Sequence, residues 1–118
     1  MPVVGTGFVL RGDGYHFRVV ISEVREGKVL VVNITDVKGK DDHSCLLSNT
    51  DYSILSKPSV VYYKMALAVD AIVLDKELAE QKNLMKLTDC PADTVAKIVA
   101  GAKISDELTA KYLKYLLD

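Results

Sequence analysis

Residues 16–35 constrain the fold more than any other stretch of the chain. Phe17, Val19 and Ile21 alternate with His16, Arg18, Val20 and Ser22, and Leu30, Val32 and Ile34 alternate with Val29, Val31, Asn33 and Thr35. A period of two is the mark of a strand with one face turned to a core. Val24-Arg25-Glu26-Gly27-Lys28 separates the two runs and contains a glycine, so they are expected to form an antiparallel hairpin. A slip of one residue would send every side chain to the opposite face, which makes the register testable. Pairing Arg25 with Lys28 keeps both apolar sets together: Val19 then faces Ile34 and Ile21 faces Val32. On the other side Arg18 lies opposite Thr35 and Val20 opposite Asn33, so His16, Arg18, Asn33 and Thr35 share the non-core face.

The rest of the chain divides near Ala66. Residues 1–66 hold six of the seven glycines and most of the β-branched and aromatic runs, whereas 67–118 are dominated by Ala, Leu and Lys. Strands followed by helices argue for a small antiparallel α+β protein and against a doubly wound sheet. Val3 to Leu10 reads as a strand that Gly5 and Gly7 interrupt by a bend or a close backbone approach. Arg11-Gly12-Asp13-Gly14 reads as a turn, 36–44 as a polar loop, Cys45-Leu46-Leu47 as a short strand, 51–56 as one helical turn and 59–63 as a further strand. Five short strands suit a small, strongly bent barrel. Beyond it, 75–86 is expected to be helical, and 66–74 fits either strand or helix. Pro91 fits a first helical position with Asp89 or Cys90 as cap, and Gly101 is expected to end that helix. Ser105 is expected to cap a last helix whose apolar stripe is Leu108, Tyr112, Tyr115 and Leu116. The 118 residues are expected to form one domain, with 1–66 as barrel and 67–118 as helical appendage.

Composition narrows the function. With 49% apolar and 26% charged residues the chain has enough apolar surface to fold, and its net charge of −1 lacks the basic excess of a general nucleic-acid binder. The strand-rich half carries +1 and the helical half −2, so any anion binding must rest on a few placed residues. No apolar run is long enough to span a bilayer and the first ten residues do not read as a signal peptide, which leads to the expectation of a cytoplasmic protein. Cys45 and Cys90 lack disulfide-framework or zinc-like spacing and are expected to be reduced and structural. Asp41-Asp42-His43-Ser44-Cys45 supplies at most part of a four-ligand site, so no metal is expected. Gly5-Thr6-Gly7 and Gly12-Asp13-Gly14 lack the spacing of phosphate-binding loops. The tyrosines can stack on bases or pack in cores, and Lys97, Lys103, Lys111 and Lys114 read as a solvated helix face.

Gly14-Tyr15-His16-Phe17-Arg18-Val19-Val20-Ile21-Ser22, then 29–36, then Ser59-Val60-Val61, resemble the core of the PemK/MazF-like toxins of toxin–antitoxin systems, over roughly residues 5–66. The resemblance implies an SH3-like β-barrel, a homodimer, and metal-independent endoribonuclease activity on single-stranded RNA with no cofactor. Thr35 matches the family's hydroxyl position. The family's Arg-Pro pair falls on His16-Phe17, with an arginine two residues later as Arg18. Such chemistry needs a base for the 2′-hydroxyl proton, an acid for the leaving 5′-oxygen and donors for the phosphorane charge. His16 is the residue type for proton exchange near neutral pH, Arg18 offers a planar donor fork and Thr35 a hydroxyl, so these three are the candidate catalytic residues. Arg11 and Asn33 are the candidate substrate-binding residues. Two other readings remain: a catalytically inactive barrel that grips an antitoxin or another protein, and an accessory protein of a mobile element.

Overall fold

The computed structural model describes residues 2–12 and 16–117. Asp13 and Gly14 of the expected turn, and Gly14-Tyr15 at the head of the family-like run, lie outside the described residues. The strands are β1 (Gly7–Leu10), β2 (Phe17–Val20), β3 (Lys28–Asp36), β4 (Leu46–Leu47), β5 (Ser59–Asp70) and β6 (Leu84–Lys86). The helices are α1 (Ala71–Glu80), α2 (Ala92–Ile104) and α3 (Ala110–Leu113), the last continued by a 3₁₀ turn, Lys114–Leu116. All six strands join one antiparallel sheet in the order β4-β5-β3-β2-β1-β6. The fold is thus α+β, and the sheet is not closed: β4 and β6 stand at its two edges. Ala66 lies inside β5, and β6 reaches the sheet from the second half of the chain.

The hairpin forms with its expected turn and a different register. Arg25 pairs with Lys28, and φ is positive at both residues between them, Glu26 (53°) and Gly27 (79°), the backbone of a tight turn that matches strand twist. Further along, Phe17 faces Ile34, Arg18 faces Asn33, Val19 faces Val32 and Val20 faces Val31, two residues from the expected pairing. Ser22 causes the offset. Ile21 N–H still donates to Leu30 O at 2.9 Å, but the Leu30 N–H donates to Ser22 Oγ at 2.8 Å, so a side chain replaces the ladder partner and Ser22–Val24 bulge out. Because the offset is even, every side chain keeps its face.

Both faces of this sheet are buried, where one was expected to meet solvent. Val19, Ile21, Leu30, Val32 and Ile34 pack with Tyr52, Tyr63, Val95 and Ile98 in the larger core, under α2. Val20, Val29 and Val31 pack with Phe8, Leu74 and Leu78 in a second core, under α1. The apolar residues that broke the alternation, Val20, Val29 and Val31, are the ones α1 covers.

Asp70 ends β5 and starts α1, its Oδ1 accepting from Val73 N–H at 2.9 Å. The helix stops at Gln81, which adopts the left-handed conformation (φ 49°). The expected helix over 75–86 therefore begins earlier and ends at Glu80, and its last three residues form β6 against β1. Pro91 caps α2 from outside the helix. Gly101 does not end it. A Cβ there would lie 2.5 Å from Tyr63 Oη and 2.8 Å from Cys45 Cβ, so this glycine lets the helix backbone touch the core. Ser105 is the C-cap of α2 rather than the N-cap of the last helix, and its hydroxyl donates to the Asp42 carboxylate. Residues 51–56 make turns without a helix.

Candidate functional site

The corrected register brings the candidate residues together in two cross-strand pairs. Arg18 on β2 lies directly opposite Asn33 on β3. One step along, His16 Nδ1 approaches Thr35 Oγ1 at 3.5 Å, the outer limit of a hydrogen bond. Arg18 Nη1 donates to the His16 carbonyl at 3.3 Å, which ties the guanidinium to the imidazole-bearing residue. Thr35 and Asn33 are buried at 5% and 8% exposure, while His16 is exposed. The result is an accessible imidazole backed by a fixed hydroxyl, with a guanidinium beside them. Period-two alternation suffices to gather four polar side chains here, since His16, Arg18, Asn33 and Thr35 fall on one face under either register.

Arg11 is engaged elsewhere. Its Nε and Nη2 donate to the Gln81 carbonyl at 3.2 and 2.7 Å, and its backbone N–H to Asn83 O at 3.0 Å. A cation on the last carbonyls of α1 opposes the negative end of the helix dipole, so Arg11 holds the helix end beside β1.

Beside Arg18 and Asn33 opens a cleft of about 360 Å³ between the sheet and α1. Phe8, Val31 and Leu74 give it an apolar floor, and Asp70 and Glu77 stand on the helix side. Met65, Leu67 and Val73 on its walls are each more than half exposed. The sequence gives no sign of this cleft, because it depends on an irregularity in β5. From Asn33 to Val31 β3 moves two residues, while its partner moves five, from Tyr62 to Leu67. The three extra residues are an odd number and reverse the alternation along β5, bringing Met65 and Leu67 to the cleft side.

The other polar clusters are internally satisfied. Burial raises the affinity of the Asp42 carboxyl for its proton, but hydrogen bonds from the Ser105 and Ser44 hydroxyls and the Ser44 N–H outweigh it and hold the group below the usual carboxylate range. His43 Nε2 lies 2.8 Å from Lys40 O. Cys45 and Cys90 are buried and unbridged; burial raises both thiols above their ordinary values, Cys90 to about 12, which disfavours a standing thiolate nucleophile at either position. Among the described residues no three His, Cys, Asp or Glu side chains gather as a metal site. Among the same residues no helix is long and apolar enough to cross a membrane. Comparison with known protein families, curated proteins and solved structures finds no significant match to this chain.

Proposed function

We propose that the chain is a PemK/MazF-like toxin with an SH3-like core, a cytoplasmic homodimer that cleaves single-stranded RNA without a metal or cofactor. The observation that carries this reading is the contact of His16 Nδ1 with Thr35 Oγ1 beside the Arg18 guanidinium. In the reaction the RNA 2′-oxygen bonds to the adjacent phosphorus, the bond to the 5′-oxygen breaks, and one proton passes from the 2′-hydroxyl to a base while another reaches the leaving oxygen. His16 serves one of these transfers and water the other. Arg18 and Thr35 donate to the phosphoryl oxygens as their charge grows. The antiparallel succession of β1, β2 and β3, with the long irregular β5 beyond it, supports the small-barrel ancestry in this reading.

Purified protein is expected to cut single-stranded RNA in the presence of a chelator, and its induction to arrest growth. His16→Ala and Thr35→Ala should each lower the cleavage rate by about 10²–10⁴-fold, the usual contribution of a positioned acid, base or oxyanion donor. Intact RNA with wild-type protein, or full cleavage by both variants, overturns the assignment.

The apolar floor of the cleft favours a second reading, a non-catalytic module that binds an antitoxin or another protein there. RNA then survives incubation with wild-type protein, and substituting Leu67 by Asp abolishes the partner complex while His16→Ala leaves it intact.

A further inference from the structure

At the far end of β3 from Thr35, the C-terminal segment packs beside the hairpin tip and a groove of about 340 Å³ lies between them. Lys28 of β3 lines it together with Lys111, Lys114, Tyr112 and Tyr115, and among the described residues Glu26 is the one carboxylate in the lining. Three ammonium groups against one carboxylate make a local excess of +2 in a chain whose total is −1. Among the described residues, the ion pairs of Lys57 with Asp36 and Lys97 with Asp51 involve none of the three groove lysines. The arrangement is also held in place. Arg25 Nη1 donates to the Lys114 carbonyl and, at 3.3 Å, to Leu117 O, which fixes the 3₁₀ turn against the hairpin. Tyr112 and Tyr115 are half-buried against the larger core, and Lys111 Nζ and Lys114 Nζ lie 5.3 and 5.9 Å from their ring centroids.

We propose that this groove binds single-stranded RNA, the lysines taking phosphates and the tyrosines taking bases. Phosphate neutralisation supplies most non-specific affinity for nucleic acid, and aromatic side chains provide stacking surfaces for bases of any sequence. An anionic membrane fits less well, since Ala68 is the only aliphatic residue lining the groove among the described residues and the exposed Met65, Leu67 and Val73 line the other cleft. The groove is separate from the His16 face: the seven residue steps along β3 from Lys28 to Thr35 span roughly 23 Å, beyond the ~8–10 Å screening length. That the bound strand is the one cut at His16 rests on the ribonuclease reading; binding in the groove does not.

The test is fluorescence anisotropy of a labelled 2′-O-methyl oligoribonucleotide, whose blocked hydroxyl permits binding without cleavage, titrated with full-length protein over a range of salt. Wild type is expected to bind. Lys111→Glu with Lys114→Glu should weaken binding at least about tenfold and flatten the dependence of log affinity on log salt by about 1.4, at ~0.7 per lost phosphate contact. Lys28→Gln, a milder surface change, should flatten it by about half as much. The proposal is overturned if wild type fails to bind, if the double variant binds like wild type, or if phosphatidylserine vesicles take up the protein and the oligonucleotide does not. Tight oligonucleotide binding without cleavage of the unmodified strand retires the ribonuclease reading and leaves the groove standing. Cleavage together with unaltered binding by the double variant does the reverse.

Discussion

On one face of the sheet α2 is locked down: Tyr63 Oη donates to the Ile98 carbonyl at 2.6 Å, and Gly101 brings the helix backbone against Tyr63 and Cys45. On the other, α1 seals Val20, Val29 and Val31 and then leaves the sheet uncovered beside Arg18 and Asn33, with Met65, Leu67 and Val73 more than half exposed. At Gly101 the first face is closed by contacts that admit no extra atom. The second retains apolar area that a ligand or partner would remove from water, together with the polar groups that would orient it. The tight helix contact and the open cleft therefore lie on opposite sides of the same six strands.

Mutation can break or sharpen this contrast. The largest effect is expected from Gly101→Val, because its Cβ would lie 2.9 Å from the Ser44 carbonyl as well as against Tyr63 and Cys45, and backbone atoms cannot yield as a flexible side chain can. Overpacking of this kind costs about 3 kcal/mol, measurable by urea unfolding. A smaller loss is expected from Tyr63→Phe, which removes the bond to Ile98 O without altering packing volume; about 1 kcal/mol is the usual net worth of such a hydrogen bond. The smallest belongs to the second face. Leu67→Ser, at a site 53% exposed, should change stability by no more than about 0.5 kcal/mol in the same unfolding experiment. A loss as large as that of Tyr63→Phe would mean that the cleft is closed in solution, and the contrast between the faces would fail.

Much of the architecture was legible from local pattern. The hairpin from Phe17 to Ile34 followed from alternation, and its turn from Gly27; the grouping of His16, Arg18, Asn33 and Thr35 followed from the same period. Features that depend on a distant partner were hidden. Leu84-Met85-Lys86 has helical propensity and becomes a strand because the edge of β1 is available to it. Gly101 was expected to end α2; a missing side chain serves a helix end and a close contact equally well, and Tyr63, 38 positions away, with Ser44 and Cys45 makes it the contact. The reach of Arg11 to Gln81 likewise joins residues 70 apart, so its loop position alone did not reveal that its guanidinium is used to end a helix.

Between Ile21 and Arg25 the chain takes four steps where its partner, from Leu30 to Lys28, takes two. The surplus is even, so residues on either side of the bulge remain in step with both cores. Insertion or deletion in this hairpin therefore obeys a parity rule. A change of two residues lengthens or shortens the bulge and leaves Val19 and Val20 on their own sides, whereas a change of one, carried into β2, would exchange the contents of the two cores.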